Sequence, residues 1–307
     1  MKKRSCFLFF ILSLTLGESF AEQSLKVLTV NLHSYQELKQ IGDTPLQRIN
    51  RNKPILSKVA QAINDLDADI VCLQEVAEWR GDVSNPDQAP FGQGKSNAGK
   101  VIKNLLNSEY YLFMDWSHYA WNEWREGVAI LSKTAFTKTG SRFVSHSQRH
   151  DYWKSRNIVA VTTSVKPFGT INVISAHTGW WDDKEEPFQY QFKNIALWRD
   201  QLKSDNPKSS TFVCGDLNIK AGGAGYSMIT QNYNFSDAYY VANPTGLTDA
   251  TIGKGIDASD GKGDRIDYLL LDKDSQLQVT SAKRLFRKND YGRVSDHLGV
   301  FFTLIRK

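Results

Sequence analysis

Thr211-Phe212-Val213-Cys214-Gly215-Asp216-Leu217-Asn218 is the stretch on which the reading of this 307-residue chain turns. A β-branched and apolar run leads into a glycine, and an acid and an amide follow two residues apart. A run of that kind reads as a short buried strand. The glycine permits a tight turn as the chain leaves the sheet. If the extended conformation continues, alternation places Asp216 and Asn218 on one face and Leu217 on the other. An anionic acceptor and a neutral amide then stand side by side at the lip of a sheet. Taken alone, a Gly-Asp-x-Asn segment is more often an Asx turn closing a strand. The rest of the chain overturns that reading, because the same design recurs.

Leu25 to Val30 alternates as a first strand and delivers Asn31 and His33 to its carboxyl end. Asn52-Lys53-Pro54 predicts a helix start, with Ile55, Leu56, Val59, Ala62, Ile63 and Leu66 on one face. Asp69 to Leu73 is a second strand that ends in Gln74-Glu75. The polar stretch from Glu78 to Gly99 reads as a long surface loop, and Val101, Ile102, Leu105 and Leu106 mark a second helix. Glu126 to Ser132 is a third strand. Residues 156–165 and 171–176 read as two strands joined by a Pro-Phe-Gly turn, with His177 just beyond. Pro187 to Lys203 is helical, with Phe188, Phe192, Ile195, Leu197 and Trp198 as its candidate buried side. Residues 221–263 are loop-rich. Arg265 to Leu271 and Leu298 to Leu304 are late strands, with Ser295-Asp296-His297 ahead of the last. This loose alternation predicts a mixed-sheet α+β or layered α/β domain rather than a Rossmann fold.

Bulk properties set the outer limits. Hydrophobic content of 41% and charged content of 23% exclude a disordered or fibrous chain. No repeat or Pro/Ser-rich linker divides residues 22–307, which predicts one domain. Lys2, Lys3 and Arg4 precede an apolar run from Cys6 to Leu16 and a small-residue site ending at Ala21. That is the pattern of a secretory signal peptide over residues 1–21, too short to span a bilayer comfortably. The expected location is therefore secreted or periplasmic, with no membrane span after cleavage and a monomeric chain. Loss of Lys2, Lys3, Arg4 and Glu18 takes the net charge from +5 to +3, too little to argue by itself for a nucleic-acid partner. Cys72 and Cys214 both lie in apolar strand-like runs and read as separate buried core residues in preference to a disulfide.

Six apolar segments thus end or begin with a polar residue that chemistry can use: Asn31, Glu75, His177, Asp216 with Asn218, Asp267, and Asp296 with His297. Each alone has a bland reading as a turn former, solvated charge or satisfied core histidine. Together they read as a sheet edge that gathers one site. Glu75 and Asp296 are hard oxygen donors and Asn31 adds a carbonyl oxygen, which suits Mg²⁺ or Mn²⁺ and not a structural zinc. Two histidines beside carboxylates suit acid–base work near neutral pH. Neither a Gly-x-Ser-x-Gly elbow nor a P-loop is present. Metal-assisted attack of water on a phosphate ester fits this inventory best.

The pieces Val-Asn-Leu at 30–32, Leu-Gln-Glu-Val at 73–76, Glu-Gly-Val-Ala-Ile-Leu-Ser at 126–132, Ser-Ala-His-Thr at 175–178, Gly-Asp-Leu-Asn at 215–218, Arg-Ile-Asp-Tyr at 265–268 and Ser-Asp-His at 295–297 resemble, in order, the endonuclease/exonuclease/phosphatase superfamily. That group includes deoxyribonuclease I, exonuclease III, inositol-phosphate 5-phosphatases and bacterial sphingomyelinases. The resemblance implies a four-layer αββα sandwich, two mixed β-sheets face to face with helices outside. It implies Glu75 as the main metal ligand, with Asn31 and Asp296 close to the metal. His297 becomes the histidine that activates water, held by Asp267, while Asp216 and Asn218 position the water and the scissile phosphate. His177 matches the second histidine of the deoxyribonuclease I and sphingomyelinase branches.

The segment His177-Thr178-Gly179-Trp180-Trp181-Asp182-Asp183 further resembles the His-x-Gly-Trp-Trp segment of bacterial maltose 6′-phosphate phosphatase-like proteins, as does Tyr152 to Arg156. Trp180 and Trp181 are candidate substrate platforms or core residues. Arg156 is a candidate phosphate clamp or a solvated side chain. The implied activity is a secreted metal-dependent phosphoesterase, on a small phosphomonoester such as a sugar phosphate in preference to nucleic acid or sphingomyelin. A binding module that kept the fold without the chemistry is the alternative class, and the complete residue set argues against it.

Overall fold

The computed structural model describes residues 23–253 and 263–307. The signal-peptide segment, residues 1–21, lies outside the described residues. The first sheet contains β1 (Leu25–Asn31), β2 (Ile70–Trp79), β3 (Tyr111–Ala120), β4 (Trp124–Ser132), β13 (Leu277–Leu285) and β14 (Gly299–Arg306) in the order β13-β14-β1-β2-β4-β3. The second contains β5 (Phe136–Phe143), β6 (Asn157–Val165), β7 (Gly169–His177), β8 (Ser210–Asp216), β9 (Phe235–Asp237) and β12 (Asp267–Asp272) in the order β5-β6-β7-β8-β12-β9. Both sheets are mixed: β1 and β2 run parallel, as do β7 and β8, and the other pairs are antiparallel. A two-residue pair, β10 (Ile252–Gly253) and β11 (Gly263–Asp264), lies apart from both sheets.

Period-two alternation separates the core into three apolar layers. Leu25, Val27, Ile70, Cys72, Val159, Val173, Phe212 and Leu269 pack between the two sheets. Leu28, Val30, Val71 and Leu73 face the other way, onto α1 (Pro45–Leu66) and α2 (Ala98–Asn104). Ile174, Val213 and Leu270 face α3 (Phe188–Asp205) and α4 (Ala224–Asn232). The result is the predicted αββα sandwich. A fifth helix, α5 (Ala238–Ala242), packs on β12 and β13. Among the described residues no helix is long and apolar enough to cross a membrane.

Several local expectations are corrected. α1 starts at Pro45, capped by Thr44 in a reciprocal capping box with Gln47, so Pro54 lies inside it. Asn52 is not a cap; its Nδ2 donates to the Arg48 carbonyl (2.9 Å) and its Oδ1 accepts from Leu38 N (3.3 Å). Leu197 points to solvent, because the buried stripe of α3 follows Phe188, Phe192, Ile195 and Leu202. β3, β5 and β13 gave no recognised signal in the sequence. All three are edge strands with one face largely polar or exposed.

Cys72 and Cys214 are not separate thiols. They form a disulfide that joins β2 to β8, one strand from each sheet, with Cα atoms 6.5 Å apart. Both occupy inner-face positions, but 142 residues separate them in sequence, so no local pattern announces the pairing. Closing so long a loop restricts the unfolded chain strongly. The double variant Cys72→Ala/Cys214→Ala is expected to lose about 2–5 kcal/mol in urea unfolding. A loss below about 1 kcal/mol would show that the sheet-to-sheet packing alone sets stability.

Candidate active site

Side-chain parity explains why a polar site forms at one end of the inter-sheet core. The inward positions of β1 run Leu25, Val27, Thr29, Asn31; those of β7 run Ile171, Val173, Ser175, His177; those of β8 run Phe212, Cys214, Asp216. Each series is apolar in the middle of the sandwich and polar at the strand end. β12 runs antiparallel to β8 and sets Asp267 opposite Asp216 at its own start. β14 is antiparallel to β1, so Asp296 and His297, just ahead of it, return to the same edge. Two hydrogen bonds cross between the sheets there: Asn31 Nδ2 to Asp216 Oδ2 (3.0 Å) and Gln74 Nε2 to Ser175 Oγ (3.2 Å).

Two residues reach the site by departing from alternation. After inward Ile70, Cys72 and Gln74, strict parity would turn Glu75 onto the helix-covered face. Instead a bulge interrupts the β2–β4 register between Leu73 and Val76, and Glu75 takes φ +48°. Its carboxylate thereby swings inward, where Oε1 accepts from Asn31 Nδ2 (2.9 Å). Asn218 likewise does not continue a strand. It sits at φ +50°, with its N–H donating to Asp216 Oδ1 (2.8 Å), an Asx turn that folds the amide back over its neighbour. Gly215 lies within β8 rather than in the turn beyond it. It has φ +140°, and a Cβ there would stand 2.0 Å from the Ala176 carbonyl oxygen, so only glycine fits.

The predicted residues Asn31, Glu75, His177, Asp216, Asn218, Asp267 and His297 converge. His297 Nδ1 pairs with Asp267 Oδ2 at 2.9 Å, and its Nε2 lies 3.6 Å from Asp216 Oδ2. His177 Nε2 lies 3.6 Å from the same Asp216 oxygen and 3.9 Å from Glu75 Oε1, and the Asn218 amide is 3.1 Å away. Asp296 borders the same cavity and is 3.4 Å from His33 Nδ1. Arg156 is buried rather than solvated. It makes no ion pair with a carboxylate among the described residues, its Nε has no partner, and it lines the cavity. Trp180 lines the cavity, whereas Trp181 turns away onto Phe188 in the outer core.

Electrostatics distinguish the two histidines. Burial opposes charge on His297, but the Asp267 and Asp216 carboxylates outweigh it and raise its pKa well above the usual value. His177 is driven well below its usual value, first by burial and then by the Arg156 guanidinium and the other histidines. His177 is therefore a neutral acceptor, and His297 a proton-carrying group. Burial, with Glu126 nearby, raises Glu75 to about 8, and burial, opposed in part by His297, raises Asp216 to about 6. Carboxylates gathered at this cost mark a place that a positive ion would relieve. Glu75 and Asp296 both line the cavity and are hard-oxygen donors that fit a divalent cation, whereas the Asn31 amide presents Nδ2 to Glu75 and Asp216 and its Oδ1 accepts from His33 N (3.0 Å). Glu75, His177 and Asp216 offer donor atoms within 4.8 Å of one another.

Among the cavity residues that escaped the site reading of the sequence, two form a polar pair. His118 Nε2 lies 3.4 Å from Glu126 Oε1, and His118 Nδ1 lies 3.4 Å from Arg156 Nη1. Glu126 stands in the quoted 126–132 motif, but His118 becomes its neighbour only through the pairing of β3 with β4, which places them opposite one another.

Comparison with known proteins accords with this geometry. A family model described as "Endonuclease/Exonuclease/phosphatase family" matches residues 29–297. No curated protein matches the chain significantly. Among solved structures, an endonuclease/exonuclease/phosphatase family protein from Leptotrichia buccalis is similar with TM-score 0.73 and 24% identity, over 91% of this chain and 99% of that one. A mannosyl-6-phosphatase from Bacteroides thetaiotaomicron gives TM-score 0.64 and 15% identity over 92% and 99%. The human Nocturnin catalytic domain gives 0.62 and 18% over 94% and 97%. At these identities the structural likeness speaks for the fold, and the family model over residues 29–297 carries the assignment: the chain belongs to the Endonuclease/Exonuclease/phosphatase family, whose members hydrolyse phosphate esters.

Proposed function

We propose that residues 22–307 form a single exported domain, secreted or periplasmic, that hydrolyses a small phosphomonoester such as a sugar phosphate with Mg²⁺ or Mn²⁺. The observation that carries the substrate reading is Arg156. Among the described residues it is the one Lys or Arg side chain lining the cavity, it is buried, and it has no carboxylate partner, its Nη1 donating to the Trp153 and Ser155 carbonyls (3.0 and 3.3 Å). One unpaired guanidinium beside Glu75, Asp216, His177 and His297 suits one phosphoryl group, where a polynucleotide would call for a track of cations. The disulfide supports export, since such bonds persist in oxidising compartments.

The roles follow from the contacts. Glu75 and Asp296 would hold the divalent cation, which supplies charge neutralisation at the phosphate, and Asn31 would add a third oxygen with its amide turned over. Arg156 binds a phosphoryl oxygen. Asp267 fixes His297 through Nδ1 and leaves Nε2 toward the cavity, where it exchanges a proton with the attacking water. Asp216, bonded by Asn31 and close to both histidines, and Asn218 orient that water and the phosphate. Neutral His177, with the Asn218 amide beside Nε2, lies against the leaving side. Water adds to phosphorus as its proton passes to Nε2 of His297 in its neutral form, the phosphorus–oxygen bond to the leaving alcohol breaks, and that oxygen takes its proton from solvent water, since neutral His177 beside it has none to give.

The test is an assay of the mature chain with Mg²⁺ against pyranose phosphates, plasmid DNA, RNA and sphingomyelin. Release of inorganic phosphate from sugar phosphates is expected. Efficient nicking of DNA with no phosphate release would make the endonuclease reading the leading one, since exposed tryptophans also stack on unpaired bases.

A further inference from the structure

The cavity that holds both histidines is larger than a phosphoryl group, and its outer walls are aromatic. Its volume is about 670 Å³, inside the range of about 300–1,000 Å³ typical of small-molecule sites. Trp121, Trp153 and Trp180 line it and are 62%, 51% and 44% exposed. None of the three belongs to the apolar layers of the sandwich. Large aromatic rings are normally buried, so three exposed ones around a single opening need a reason.

The three rings are braced in place. Trp153 and Trp180 stand 5.8 Å apart with planes inclined by 56°. Lys154 ties their two loops together through Asp183 (2.8 Å) and Glu185 (2.7 Å), and Glu185 also accepts from the Tyr152 hydroxyl (2.7 Å). Glu186 accepts from the backbone N–H groups of His146 (2.6 Å) and Ser147 (2.7 Å). Trp121 sits at the tip of the β3–β4 hairpin, whose β3 strand is tied to the loop carrying Trp153 by Tyr119 N–H to the His150 carbonyl (2.8 Å). The turn closes through Glu123 N–H to the Ala120 carbonyl (3.0 Å), and Trp121 and Asn122 both have positive φ, 50° and 53°. Two left-handed residues in succession favour Asn, Asp or Gly. A tryptophan held there is locally unfavourable, and within the chain its ring meets Lys39 Nζ 5.5 Å from its centroid while it stays 62% exposed. Arg80 Nη1 anchors the tip by donating to Asn122 Oδ1 (2.7 Å).

We propose that Trp121, Trp153 and Trp180 together form a preorganised aromatic clamp around the leaving group that selects a pyranose ring over an acyclic alcohol. The proposal rests on the phosphomonoesterase reading above. A pyranose offers apolar C–H faces to the tryptophans and hydroxyls to polar groups that line the same cavity away from the phosphate, Asn122, His118 and Glu126. An acyl chain would leave those polar groups facing hydrocarbon. Rigid walls remove the ordering cost that a flexible subsite would carry.

The experiment compares kcat and KM on glucose 6-phosphate and on glycerol 3-phosphate for the wild type, Trp121→Ala, Trp153→Ala and Trp153→Phe. Thermal unfolding of each variant accompanies the kinetics. The ratio of kcat/KM for the ring substrate to that for the acyclic one is expected to fall roughly five- to tenfold in each alanine variant, mainly through KM. Trp153→Phe, which keeps a ring, should restore much of it. A ratio within twofold of wild type in both folded alanine variants overturns the clamp and leaves the phosphomonoesterase reading standing. Failure of the wild type to release phosphate from either substrate overturns that reading and the clamp with it.

Discussion

Turnover should fall by at least about a thousandfold when Glu75 is replaced by alanine, and EDTA should abolish wild-type activity until Mg²⁺ or Mn²⁺ is restored. The size follows from a bound cation being worth several kcal/mol at a reacting phosphate, with each 1.4 kcal/mol a factor of about ten. The variant should stay folded. Glu75 sits at a bulge on the rim of the core, and burial raises its pKa to about 8. An acid whose pKa is raised on folding withdraws stability as pH climbs from its unfolded value to its folded one. Near pH 7 the metal-free variant should therefore be as stable as the metal-free wild type, or more so. Added Mg²⁺ should raise the melting temperature of the wild type and not that of Glu75→Ala. Undiminished activity in EDTA would remove the cation from the mechanism. Unfolding of Glu75→Ala would make Glu75 structural.

The second large effect belongs to His297. Its alanine variant is expected to lose 10²–10⁴-fold in kcat, the usual contribution of a positioned acid–base group. A loss below about tenfold would rule the role out. Stability must be followed separately, because the substitution strands a buried carboxylate. Asp267 is buried, and its Oδ1 already lacks a partner among the described residues. Removing one member of a buried pair typically costs about 3–5 kcal/mol. Asp267→Asn leaves the imidazole in place and should lose less kcat than His297→Ala. A loss equal to that of His297→Ala would mean that orientation and charge at Nδ1 carry the whole effect.

Much of this site was legible because its residues end apolar runs. Asn31, His177 and Asp216 each continue the inward parity of a strand, so reading the run gives both the strand and the direction of its last side chain. Arg156 and Trp181 were ambiguous for an equally physical reason. Whether an arginine at a strand start is solvated, or a tryptophan after a histidine is core, depends on what packs against it. The structure buries the one beside the cavity and turns the other onto Phe188.

By itself the sequence determined the layered mixed-sheet class and the strand ends that bear Asn31, His177, Asp216, Asp267 and His297, because alternation and chain polarity are local properties. The tertiary structure alone decided four matters: the bulge that turns Glu75 inward, the Cys72–Cys214 bridge, the meeting of His118 with Glu126, and the gathering of Trp121, Trp153 and Trp180 around one opening. Each depends on which strand lies beside or opposite which. That is fixed by contacts between different segments, from eight to more than a hundred residues apart, and no periodicity within a single segment encodes it.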